Sequence, residues 1–153
     1  MDKLNLPVYD LNIKETEGKT VIFDVIRKKF VVLTPEEWVR QHFVNYLIHH
    51  LGYSRSLISV EHGLKYNALA KRTDIIVYSN KGVPILLVEC KAPEHKLGQK
   101  VMEQAMMYNK TVNADYLVIT NGLEHSCLFI DRGSNELKFL SEIPSFEDIN
   151  KKS

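Results

Sequence analysis

The chain has 153 residues, 44% of them hydrophobic and 25% charged, which suits one soluble globular domain. Lys plus Arg number 20 and Asp plus Glu 19, so the net charge of +1 excludes a broad basic field, and any nucleic-acid affinity must come from locally focused charge or from a partner. Cys90 and Cys127 form no CxxC pair and no zinc-type cluster, residues 1–7 carry no signal-peptide core, and no apolar run nears the ~20 residues that span a bilayer, so a cytoplasmic protein with reduced thiols and no membrane contact is expected.

In chain order, residues 1–19 read as a polar, irregular N-terminal extension. Residues 20–26 and 30–33 read as short extended segments around the basic turn Arg27-Lys28-Lys29. Thr34-Pro35-Glu36-Glu37 then opens a helix: Thr34 suits the N-cap, Pro35 the first helical position, and Glu37 completes a capping box. The helix is predicted to run to about Leu51 and to end at Gly52. At about 100° per residue, Val39, Phe43, Tyr46, Leu47 and His50 share one face. Glu36 lies within that arc and is expected to point towards the core side, whereas Glu37 is explained as a cap.

Three extended segments follow, at residues 57–61, 72–78 and 84–91. The last two are joined by a hairpin at Ser79-Asn80-Lys81-Gly82. A second helix is predicted over residues 98–112, then a strand over 115–120, the Asn121-Gly122 turn, and a final hairpin of residues 126–130 and 136–140. Residues 142–153 read as a polar, loosely attached tail. The order implies a single mixed α/β domain over residues 20–141, with helices flanking a mixed central sheet.

The chemistry concentrates in the middle hairpin. Strand alternation places Ile85, Leu87, Glu89 and Lys91 on one face and Leu86, Val88 and Cys90 on the other. The midpoint between Asp74 and Glu89 falls in the turn, so an even-length loop sets the two carboxylates opposite each other, with Cβ atoms roughly 4.5–5.5 Å apart. Two such carboxylates need a positive charge between them, which Lys91 or a divalent cation supplies. Mg²⁺ takes hard oxygen ligands, commonly one or two carboxylates with water and substrate phosphate. Asp74 and Glu89, with the Cys90 backbone carbonyl, are the candidate metal ligands. Lys91 would orient or deprotonate the attacking water. Alone, the triplet is equally well read as an edge Glu–Lys pair and an unrelated Asp.

Asp74 followed by Glu89-Cys90-Lys91 resembles the PD-(D/E)xK nuclease motif, with Thr73 in place of the proline. The wider pattern resembles the N-terminal nuclease domain of the restriction (R) subunit of type I restriction enzymes. The stretches that carry it are Phe23-Asp24-Val25-Ile26-Arg27-Lys28-Lys29-Phe30, Thr34-Pro35-Glu36-Glu37-Trp38-Val39-Arg40-Gln41, Lys71-Arg72-Thr73-Asp74-Ile75-Ile76-Val77-Tyr78 and Glu89-Cys90-Lys91-Ala92-Pro93, within about residues 20–125. The resemblance implies a restriction-endonuclease-like fold and a Mg²⁺-dependent endonuclease acting on double-stranded DNA, with Mn²⁺ able to substitute. It also implies methylation and specificity subunits and a helicase motor as partners. It points to an acidic residue on the helix before the hairpin, matched by Glu36 with Arg40 in an ExxxR arrangement. It further points to a QxxxY element on the next helix, matched by Gln104 and Tyr108, which the family associates with DNA cleavage and substrate positioning.

The chain carries no Walker A sequence, so a stand-alone domain, a truncated homologue and an excised piece are all open. Lys71, Arg72, Lys96, Lys100 and Lys110 flank the motif and suit either a basic rim for DNA or a solvated charged surface. His95 follows the motif and is read as a surface residue, with a phosphate contact as the alternative. His42, His49, His50 and Glu61 are read as structural. The rival function is a catalytically silent or partner-dependent DNA-binding or assembly module that keeps the nuclease fold. RNA or branched DNA is a further possible substrate.

Overall fold

The computed structural model describes residues 1–62 and 73–151, with residues 61, 62, 73, 74 and 151 described by their backbone alone. A small antiparallel sheet comes first: β1 (Ile13–Thr16), β2 (Lys19–Asp24) and β3 (Lys29–Val32), in the order β1-β2-β3. Glu17 and Gly18 both take positive φ (50° and 76°), the two-residue turn that matches the twist of a hairpin. β1 lies in the segment expected to be irregular. Its four residues are all exposed, so it has no buried alternation to betray it, and its pairing with β2 alone makes it a strand.

α1 (Pro35–His49) starts as its sequence dictates. Pro35 stands in the first turn, and the Thr34 hydroxyl accepts the Glu37 N–H at 3.0 Å. It ends two residues before the expected Leu51, and Gly52 takes a positive φ of 78° beyond its C-cap, His50. A 3-10 turn, Arg55–Leu57, leads into the main sheet.

That sheet has six strands in sequence order: β4 (Ile58–His62), β5 (Thr73–Tyr78), β6 (Pro84–Cys90), β7 (Tyr116–Thr120), β8 (His125–Asp131) and β9 (Glu136–Leu140). Neighbours are antiparallel except β6 and β7, which are parallel. A parallel pair needs a crossover, and α2 (Gln99–Val112) provides it. The chain is therefore a single mixed α/β domain with a mixed sheet flanked by helices, as the sequence implied.

Alternation along the strands feeds two cores. Val39, Phe43 and Leu47 of α1 pack with Ile75, Val77, Leu86, Val88 and Val118 on one face. Val101 and Ala105 of α2 pack with Ile76, Leu87, Leu117, Ile119 and Leu128 on the other. Near the chain start, Leu4 is buried against the Asn121-Gly122 turn so closely that a Cβ on Gly122 would stand 2.7 Å from a Leu4 methyl carbon.

The C-terminal segment is not loosely attached. It forms α3 (Phe146–Lys151), and Ile143, Phe146 and Ile149 pack on the α1-side core. Tyr53 donates to the Pro144 carbonyl at 2.6 Å, and the Phe146 N–H donates to the Leu51 carbonyl at 2.8 Å. Three apolar residues at intervals of three, within an otherwise polar stretch, suffice to dock a short helix.

Candidate active site at the ends of β5 and β6

The β5–β6 hairpin sets the register of the candidate carboxylates, though not through an even-length loop. Tyr78 pairs with Pro84, closing a five-residue loop in which Ser79 N–H donates to the Val83 carbonyl at 2.8 Å. Val77 then pairs with Leu86, so Ile85 is an extra, bulged residue. The bulge carries Ile85 to the α1-side core beside Leu86, not to the Glu89 face as simple alternation requires. It also restores the register, giving Ile75 opposite Val88. The pairing ends there, and the same register extended by one step would set position 74 against position 89. On the other side of β5, Asp74 pairs with Glu61.

Glu89 is 3% exposed and follows Leu87 on the α2 side of the sheet. Lys91 stands just past β6, and its Nζ lies 3.9 Å from Glu89 Oε2, a long ion pair that leaves room for rearrangement. The Lys91 N–H donates to the Thr120 carbonyl at 2.8 Å and holds the motif against β7. Cys90 is fully buried on the α1 side of the sheet.

The loop leaving the motif is fastened by a residue that sequence reading treated only as part of a turn. Asn121 donates from Nδ2 to the His95 carbonyl at 2.8 Å, and its Oδ1 accepts the N–H groups of Leu123 and Glu124. The Thr120 hydroxyl accepts the Gly122 N–H and bonds His125 Nδ1 at 2.7 Å. An Asn-Gly pair signals a turn, but nothing local reveals that the Asn reaches back to residue 95.

On α1 the two glutamates exchange their expected places. Glu37 is the buried one, whereas the Glu36 side chain is 40% exposed. Glu37 Oε1 accepts from Arg27 Nη2 at 2.8 Å and from Gln41 Nε2 at 2.9 Å, and Oε2 accepts from Arg40 Nη1 at 2.5 Å. The predicted ExxxR pair does form: Arg40 Nη2 donates to Glu36 Oε1 at 2.8 Å. Arg27 in turn is anchored by the fully buried Asp24, through Nε to Oδ2 at 2.5 Å. Burial pushes the Asp24 carboxyl upward in pKa. The backbone N–H groups of Arg27 and Ile26 and the Arg27 guanidinium outweigh this and hold it below the ordinary carboxylate value. Burial also works against the charged Arg40, but Cys90, Glu37 and Glu36 act in the opposite direction and raise its pKa overall.

The remaining candidates lie on or before α2. Gln104 is exposed and Tyr108 partly buried against the α2-side core, one helical turn apart on the same side. Lys96, Lys100, Lys110 and His95 are exposed. Lys71 and Arg72 lie outside the described residues. The α1 histidines are occupied structurally, His42 Nδ1 with the Trp38 carbonyl at 2.8 Å and His50 Nδ1 with the Tyr9 hydroxyl at 2.7 Å. Among the described residues, no three His, Cys, Asp or Glu side chains converge as a metal site. The described donors at the end of β6 are hard oxygens, with Glu89 held on a nearly closed surface. Such a set fits a cation that draws its remaining ligands from water and phosphate.

Residues 35–144 match the family described as "Type I restriction enzyme R protein N terminus". The chain belongs to that family. A stretch of 52 residues is 35% identical to the type I restriction enzyme EcoAI endonuclease subunit of Escherichia coli, and it spans 34% of this chain but 6% of that protein. A solved fragment described as an HsdR subunit of a type I restriction enzyme from Vibrio vulnificus YJ016 shares the fold, with a TM-score of 0.51 and 20% identity over 78% of this chain and 25% of that one. The chain thus spans a small part of the R subunits it resembles.

Proposed function

We propose that this domain hydrolyses phosphodiester bonds in double-stranded DNA with Mg²⁺, which Mn²⁺ can replace, as the nuclease part of a cytoplasmic restriction system. The observation that carries the reading is the β6 end. There Glu89 and Lys91 stand side by side, and the β5–β6 register, extended by one step beyond Ile75 and Val88, would bring Asp74 opposite Glu89. Asp74, Glu89 and the Cys90 carbonyl would hold the metal. When bound, the metal would polarise the phosphoryl oxygen and lower the pKa of a water. Lys91 orients that water or takes its proton, and its ammonium offsets charge on the phosphorus oxygens. Glu36, Gln104 and Tyr108 position the substrate and its water, while Lys71, Arg72, Lys96 and Lys100 meet the phosphate backbone. Family membership and the shared fold support this assignment.

The net charge of +1 favours a partner-dependent form of the same reading, in which methylation and specificity subunits and a helicase motor supply most of the DNA affinity. The test is cleavage of supercoiled plasmid with Mg²⁺ or Mn²⁺, alone and with those partners. Asp74→Asn, Glu89→Gln and Lys91→Met should each lower the rate by about 100-fold or more while the protein stays folded. A wild-type protein that cuts nothing under any of these conditions leaves the silent assembly module as the correct reading.

A further inference from the structure

We infer that Asn121 is a positioning residue for Lys91: it closes residues 91–95 into a ring against the end of β7 and so fixes the direction in which Lys91 leaves the sheet. This rests on the reading above, in which Lys91 handles the attacking water. β6 ends at Cys90, so Lys91 stands beyond the strand pairing that aligns Glu89. Its N–H is held by the Thr120 carbonyl at 2.8 Å. Farther along the same segment, the His95 carbonyl accepts from Asn121 Nδ2, also at 2.8 Å. The two anchors are chain neighbours, Thr120 at the end of β7 and Asn121 just past it. Between them the segment turns on itself: the His95 N–H donates to the Ala92 carbonyl at 2.9 Å, and Pro93 is buried. A segment tied at one end can swing, whereas one tied at both ends to adjacent residues has a set path.

The Asn121 side of the ring is the rigid one. Asn121 is 5% exposed, and its Oδ1 accepts the N–H groups of Leu123 and Glu124 at 2.9 and 2.8 Å. The turn is braced from behind by the N-terminal segment: Leu4 is buried against Gly122, and the Asn5 N–H donates to the Gly122 carbonyl at 2.7 Å. On the other side of the ring, Glu94, His95 and Lys96 are all exposed. The exposed loop therefore takes its position from the braced turn, and not the reverse.

Asn121→Asp separates the two tasks of this side chain. A carboxylate still accepts from Leu123 and Glu124 but has no N–H for the His95 carbonyl. Hydrogen exchange on the full chain should show the Lys91 amide exchanging about tenfold faster, the scale of one lost hydrogen bond, while the Leu123 and Glu124 amides keep their protection. In plasmid cleavage, kcat should fall roughly ten- to a hundredfold with KM unchanged, the scale of a misplaced reacting group. In the Lys91→Met background the same substitution should lower the residual rate no further, which a general loss of structure does not predict. If Asn121→Asp does not fold, Asn121→Ser carries the same expectations, since its hydroxyl serves the turn but is too short to reach His95. Unchanged exchange at Lys91, or an added loss in the Lys91→Met background, overturns the positioning role and leaves the proposed function standing. A wild type that cuts no DNA under any partner condition overturns that function, and with it the role of Lys91 that Asn121 serves.

Discussion

α1 and α2 cover opposite faces of one sheet, yet they are built on different plans. α1 buries every residue from 39 to 44, including Arg40, Gln41 and His42. α2 buries only Val101, Ala105 and Asn109, spaced four residues apart. The reason is what surrounds each helix. α1 lies on the sheet and also meets the β2–β3 turn through Arg27 and the N-terminal segment through Trp38, whose indole donates to the Asp2 carbonyl at 2.8 Å. α2 meets the sheet on one side and water on the other. A helix covered from several directions must satisfy charges internally, whereas a one-sided helix keeps its polar groups free for a ligand.

The largest test of that contrast is in the cores. Phe43→Ala removes a fully buried ring from α1 and should cost about 3–5 kcal/mol in chemical denaturation. Met107→Ala on the open face of α2, at 63% exposure, should stay within about 0.5 kcal/mol. Equal losses would mean that α2 has a covered outer face.

The two adjacent glutamates should separate next. Glu37→Gln leaves Arg27 and Arg40 without their shared buried carboxylate and should cost about 3 kcal/mol. Glu36→Gln removes a half-exposed pair and should cost less than about 1 kcal/mol. The sequence predicted the reverse orientation because it placed Glu36 within the arc of Val39 and Phe43. That arc describes a helix with one buried side. What buries Glu37 is a turn ten residues upstream, and no periodicity within α1 contains it.

Asp24 sharpens the comparison through pH. Its folded pKa lies below its unfolded value, so the unfolded chain binds more protons between the two. Its stabilising contribution is therefore fully present above the ordinary carboxylate range, near pH 4, and is lost as pH falls through the folded value. Asp24→Asn should lower stability at neutral pH and flatten the acid limb of the stability curve. An unchanged acid limb would show that Arg27 does not hold the charged carboxylate.

How much was legible follows the same division. The α2 crossover, the six main strands and the Glu89–Lys91 pair were readable because strand alternation and one-sided helices leave local patterns. The placement of Asp74 opposite Glu89 was predicted from an even-length loop. The observed pairing, which ends with Ile75 opposite Val88, runs in that register because a bulge at Ile85 compensates an odd loop, and a bulge leaves no clear mark in a run such as Pro84-Ile85-Leu86-Leu87. β1, the docking of α3, and the Asp24–Arg27–Glu37 and Asn121–His95 links depend on contacts between distant segments. Asp24 and Arg27 were in view as a family stretch, but a short polar motif at a turn does not reveal what it holds.

The smallest expected effect on folding concerns the open surface before and along α2. Lys96 and Lys100 are exposed and form no ion pair among the described residues, so Lys96→Ala and Lys100→Ala should each change stability by less than about 0.5 kcal/mol. Their expected effect is on DNA. Each lysine that neutralises a phosphate releases counterions, and each loss should reduce the slope of log binding constant against log salt by about 0.9. The double variant should therefore flatten that slope by about 1.8 with no change in sequence preference, since phosphate contacts position without reading bases. A slope that does not move would take the DNA backbone away from this side of α2. In that case affinity would have to come from the segment containing Lys71 and Arg72, or from a partner, as the net charge of +1 already favours.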